Sequence, residues 1–215
     1  MKNTIKVMML VVMATTFVAC SKAVTKTVSY EKATAKTAFA DVEPFAKETF
    51  PEAILVGFNN YDLTFDRTNL YPLEEDRDTS AETPFWAFMF ARSAEDIADG
   101  TLSDDEAFAV IFNAGELKLV DVGVVVTRDI EVPSDLSSDK WTADTDDVLK
   151  GVLAEIEAQG YEPPVIEHVD FNMNTTWDEP YGYEVTVWTS STAGYDSKVN
   201  GETGEVGYTR AIEVF

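Results

Sequence analysis

The sequence predicts an α+β protein built from two tandem helix-plus-antiparallel-sheet units. Three observations predict it. Helical periodicity occurs twice, over 30–50 and over 144–159. Each helical stretch is followed by several short strand-like segments, and segregated helices and antiparallel strands define the α+β class. Short signatures also recur in matching places. Thr34-Ala35 and Thr142-Ala143 open the helices, and Phe50-Pro51-Glu52 stands where Tyr161-Glu162-Pro163 stands later. Phe112-Asn113-Ala114-Gly115-Glu116-Leu117 parallels Val199-Asn200-Gly201 with Gly204-Glu205-Val206. The expected division is a signal peptide (1–19), a tether (20–29), a first unit (30–132), a linker (133–140) and a second unit (141–215).

The N-terminus has the layout of a secretory signal. Lys2 and Lys6 precede the almost wholly apolar run from Val7 to Ala19, and small residues lie at its end. The run is too short for the ~20 residues that cross a bilayer. Phe17-Val18-Ala19-Cys20 resembles a bacterial lipobox, with Phe17 where the family usually has Leu. The resemblance implies cleavage before Cys20, a covalent lipid such as palmitate on its sulfur, and a lipid-anchored place in the bacterial cell envelope. The outer membrane, facing periplasm or surface, is the expected site. The alternative is an ordinary secretory signal with a chance cysteine.

Ser21 to Ser29 carries lysine and no acid and reads as the tether. Phe39, Val42, Phe45, Ala46 and Phe50 recur at helical steps and share one face. Pro44 is expected to start a second short helix, because proline suits a first turn and breaks interiors. Pro51 ends the stretch. Ala53 to Phe65 is strand-like, and Phe85 to Ala91 is apolar on both faces, as a doubly covered strand is. Ala107 to Phe112 and Leu117 to Val126 follow, parted by the turn signal Asn113-Ala114-Gly115. In the second half, Val148, Leu149, Val152, Leu153 and Ile156 form the stripe of a helix over Asp144–Gln159, stopped by Gly160. Val169, Phe171 and Met173 then alternate with His168, Asp170 and Asn172. Tyr183, Val185 and Val187 alternate with Glu184, Thr186 and Trp188. Such alternation marks strands with one buried and one exposed face.

Composition excludes several functions. The chain holds 39 acidic and 16 basic residues and a net charge of −23. That surface repels nucleic-acid phosphates and anionic lipid head groups, so membrane contact is expected through the lipid alone. A basic protein is the complementary partner. With 45% hydrophobic and 12% aromatic residues a real core can form. Cys20 is the one cysteine, so no disulfide can form within the chain.

No constellation for catalysis stands out. The one histidine, His168, lacks a ligand set for a metal, and no Gly-x-Ser-x-Gly elbow offers a nucleophile. Asp144, Asp146 and Asp147 sit at a helix start, where acids cap free N–H groups and complement the dipole. Glu95 to Glu106 partly fits a calcium loop, but Ile97 occupies a position that needs a side-chain oxygen. A short helix over Ala94–Ala98, ended by Gly100, is preferred. No cofactor and no metal is expected.

Gly182-Tyr183-Glu184-Val185-Thr186-Val187, followed by Lys198-Val199-Asn200-Gly201-Glu202-Thr203-Gly204-Glu205-Val206, is similar to the end of PepSY domains. Asn200 replaces their usual acid. Val42, Phe45, Phe50, Pro51, Ala53 and Ile54 resemble the helix end and first strand of PepSY-like lipoproteins. Tandem units of this sort also occur in β-lactamase-inhibitor-like proteins. The resemblance implies PepSY-like, cystatin-like units and a non-catalytic binding module that inhibits or regulates an envelope or secreted enzyme. A structural, scaffolding envelope lipoprotein is the alternative, and an enzyme the third reading. If Val185 and Val187 face the helix, then Glu184, Thr186 and Trp188, with His168 beside them, face away. These four are the candidate partner-binding residues. The first unit folding over that face is the competing explanation.

Overall fold

The computed structural model describes residues 24–60, 64–65, 68–69, 79–98, 101–102, 106–121, 130–131, 141–174 and 182–214. Cys20, the expected linker 133–140 and the aromatic residues Trp177 and Tyr181 lie outside the described residues. Helix α1 spans Ala35–Thr49. The Thr34 hydroxyl accepts the Thr37 N–H and caps it. Ala38, Phe39, Val42, Phe45 and Ala46 are its buried face. Pro44 lies inside this single helix and starts no second one. Its ring points to the exposed side, and burial of the flanking Val42, Phe45 and Ala46 outweighs the ~3 kcal/mol that an interior proline costs. Phe50, extended as a residue before proline prefers, ends the helix. Helix α2 spans Thr145–Ala158, with Asp144 at its N-cap, Gln159 at its C-cap and Gly160 turned left-handed just beyond (φ 86°).

The strands of the main sheet are β1 (Thr25–Thr27), β2 (Ile54–Asn59), β5 (Phe85–Ala91), β7 (Ala107–Asn113), β8 (Glu116–Asp121), β10 (His168–Asn174), β11 (Gly182–Ser190), β12 (Ala193–Asn200) and β13 (Val206–Glu213). Two small ribbons pair β3 (Thr64–Phe65) with β4 (Thr68–Asn69), and β6 (Thr101–Leu102) with β9 (Ile130–Glu131). The β7–β8 hairpin turns through Ala114 (φ 44°) and Gly115 (φ 87°), the double positive φ that two-residue hairpins favour.

The two-unit expectation is overturned. Both halves enter one nine-stranded antiparallel sheet, ordered β1-β8-β7-β5-β2-β10-β11-β12-β13. Two α-helices accompany it among the described residues, so the fold is β-rich rather than a pair of PepSY-like or cystatin-like units. Each half runs helix then strands, yet neither closes a core of its own. Phe39 of α1 and Phe58 of β2 pack on Trp141, which precedes α2, with ring centroids 5.4 and 4.5 Å apart. Phe58 also meets Tyr183 of β11 at 5.8 Å. The physical reason is the edge problem. Separate units would each leave an open strand edge next to the other, and pairing β2 with β10 removes both.

That seam is short. It aligns Asn59 with Asn172, Phe58 with Met173 and Gly57 with Asn174. Asn60 lengthens it with its side chain. Its Nδ2 donates to the Val169 carbonyl at 2.9 Å, and its Oδ1 accepts the Phe171 N–H at 2.7 Å. The helix N-termini are joined as well. The Asp144 carboxylate accepts from the N–H groups of Thr145 (2.8 Å) and Lys36 (3.1 Å) and from the Thr34 hydroxyl (2.6 Å). It thus caps both helices.

A second apolar cluster lies opposite the main core on the first half. Phe85, Ala87, Ala91, Ala107, Ala109 and Ile111 pack there with Leu102, and Ile97 joins them. The doubly covered strand expected at 85–91 is therefore found. Ile97 belongs to a 3-10 turn over Glu95–Ile97, and no metal-binding group of acids, histidines or cysteines occurs among the described residues.

Candidate binding face

Alternation along β10 to β13 builds the second half's outer face. Val169, Phe171, Met173, Tyr183, Val185 and Val187 are buried in the main core. Their neighbours must point to the other side. Register then lines these up across the strands. His168 faces Trp188, and Asp170 faces Thr186. Thr186 faces Asp196, Glu184 faces Lys198, and Asp196 faces Arg210.

The structure thus brings Trp188, Thr186, Glu184 and His168 onto one face, as the alternation implies. The first-half strands of the main sheet, β1, β8, β7, β5 and β2, continue it beside this face. Trp188 is fixed at both ends of its ring. Its Nε1 donates to Asp170 Oδ2 at 2.7 Å, and its ring stacks on His168 with centroids 5.7 Å apart. His168 Nε2 stands 3.9 Å from the same Asp170 oxygen. The His168 and Asp170 side chains are 13% and 15% exposed, so the cluster is half sunk into the surface.

Asp196 and Arg210 complete the face. Arg210 donates through Nε (3.1 Å) and a terminal nitrogen (2.8 Å) to Asp196 Oδ2. Asp196 itself is only 5% exposed. Burial first, and the Asp196 charge second, hold the Glu184 carboxyl above its ordinary value. Sequence reasoning missed Asp196, Lys198 and Arg210. The available signal was the same alternation in β12, where Asp196 and Lys198 interleave with the buried Ser197 and Val199.

At the end of the sheet, Asn200 Oδ1 accepts the Glu202 and Thr203 N–H groups at 2.8 and 3.0 Å. The neutral amide oxygen closes the turn as an Asx side chain does, by accepting backbone N–H groups two and three residues on. The N–H groups of Thr142 and Ala143 both donate to the Gly201 carbonyl, which ties this turn to the entry of α2.

No family model matches the chain, and no curated protein matches it. Among solved structures it is similar to that of CD1622, a candidate lipoprotein from Clostridium difficile 630, at 11% identity over 85% of this chain and 95% of that one, with a TM-score of 0.41.

Proposed function

We propose that this protein is an exported lipoprotein, anchored through Cys20, that works as a non-catalytic binding module for a basic protein partner. The outer face of β10–β13 makes the contact, and an envelope or secreted enzyme held in check by it is the form of partner the reading favours. The observation that carries it is Trp188. A large aromatic, pinned by Asp170 and His168 on a sheet face of mixed charge, is the kind of rigid anchor on which interface energies concentrate. A surface with net charge −23 attracts basic partners over long range.

The test is capture from envelope extract with the lipid-free chain, followed by binding of the captured partner to Trp188→Ala. Affinity should fall by ~2 kcal/mol or more while the melting temperature moves little. Unchanged affinity defeats the assignment of the face. Mass spectrometry of the N-terminus checks the anchor, and an unmodified Cys20 or a cut elsewhere removes it. Several acyl chains on one residue would hold the protein stably, since a single chain binds marginally.

A further inference from the structure

We propose that Asp196, flanked by Thr186, is the point at which the partner inserts an arginine, and that Arg210 occupies part of that position while the partner is absent. The inference rests on the binding reading above and names the chemistry it recognises. Its central observation is an orphan. Asp196 Oδ1 is buried and has no hydrogen-bond partner, while Oδ2 takes both bonds from Arg210. A buried carboxylate oxygen without a donor costs free energy that native proteins seldom tolerate without a use for it.

The surroundings select the ligand. Thr186 lies directly across from Asp196 and brings a second acceptor. Glu184, one pleat along, adds a carboxyl whose proton is held tightly by burial and by Asp196. A guanidinium presents several N–H donors in a planar fork, and it loses less hydration than an ammonium when buried. Arg210, whose side chain is 63% exposed, covers the carboxylate from the solvent side and uncovers it by swinging out. An incoming arginine then completes the unsatisfied oxygen and shares or takes the one Arg210 holds.

The experiment uses fluorescein-labelled hexa-arginine as probe, with the full chain in detergent at about 150 mM salt, where long-range attraction is largely screened. Anisotropy gives the affinity, and circular dichroism melting confirms that each variant folds. Asp196→Asn should weaken binding about tenfold or more, the worth of a charge-assisted hydrogen bond. Glu205→Gln, an exposed acid in the β12–β13 turn, should change it by less than about twofold. Thr186→Val should also weaken it without altering net charge. Arg210→Ala should tighten binding more than Lys118→Ala, an exposed cation on β8. Equal losses for Asp196→Asn and Glu205→Gln, or equal gains for the two cation deletions, would reduce the effect to bulk charge and overturn the proposal. No binding of the probe at all would overturn it too, while a Trp188-dependent partner would still leave the binding face standing.

Discussion

Replacing Asn60 by alanine should loosen the join between the two halves of the sheet. Asn60 is 5% exposed, and its side chain makes two hydrogen bonds of 2.9 and 2.7 Å to β10. Truncation leaves the Val169 carbonyl and the Phe171 N–H buried without partners. Each unsatisfied group costs about 1–3 kcal/mol, so the pair comes to ~2–5 kcal/mol when one of them is partly rewetted. In a domain of this size that corresponds to a fall of about 4–20 °C in melting temperature. Urea titration followed by tryptophan fluorescence and by far-ultraviolet circular dichroism measures it. Trp86 and Trp141 report from opposite sides of the seam, and both are buried. One coincident transition at lower urea is expected, with the slope unchanged. A loss under about 1 kcal/mol would refute the reasoning, because the side chain would then not be acting as an extra rung of the ladder.

Four further outcomes are expected. Phe171→Ala should cost ~3–5 kcal/mol in the same titration, since the ring is fully buried against Trp86. Asp144→Ala should cost ~1–3 kcal/mol, more than a single lost cap, because two helix starts share that carboxylate. Ala114→Gly should raise stability by ~1 kcal/mol, since a non-glycine residue there sits at φ 44°. Glu184→Gln should melt higher than the parent at neutral pH. The folded state holds the Glu184 proton more tightly than the unfolded chain, so its contribution to stability is lost as pH rises from the ordinary carboxylate value through the raised one. The difference should close below about pH 4, where both forms are neutral.

Local pattern was legible wherever it is set by one face of one element. The stripe of α2 and its stop at Gly160 follow from helical periodicity. The inward set Val169, Phe171, Met173 and the outward set His168, Asp170, Asn172 follow from a period of two. Pairing between distant strands has no such signature. Nothing in Ile54–Asn59 or His168–Asn174 says that they are neighbours, so a repeated order of elements reads as two separate units although it is one sheet. Asn60 was invisible for the same reason: its role exists only once β10 lies beside it. At Pro44 the local rule predicts a break, but tertiary burial of the helix face decides. On the candidate face, Trp188 and His168 were found by alternation, but the orphan oxygen of Asp196 depends on the placement of Arg210 from another strand.

The seam also sets an order of events during synthesis. Asn60 bonds to a residue 109 positions later in the chain. As the chain emerges from its N-terminus, β2 is available long before β10, and until then its edge is unpaired. The first half therefore reaches its final state only after the second has arrived. Closing so long a loop is slow relative to local hairpins. A nascent chain in that interval stays open along the β2 edge and exposed to aggregation there. Its high negative charge opposes such association by self-repulsion. The same pairing that makes the folded molecule one cooperative body thus postpones its completion until β10 has been made.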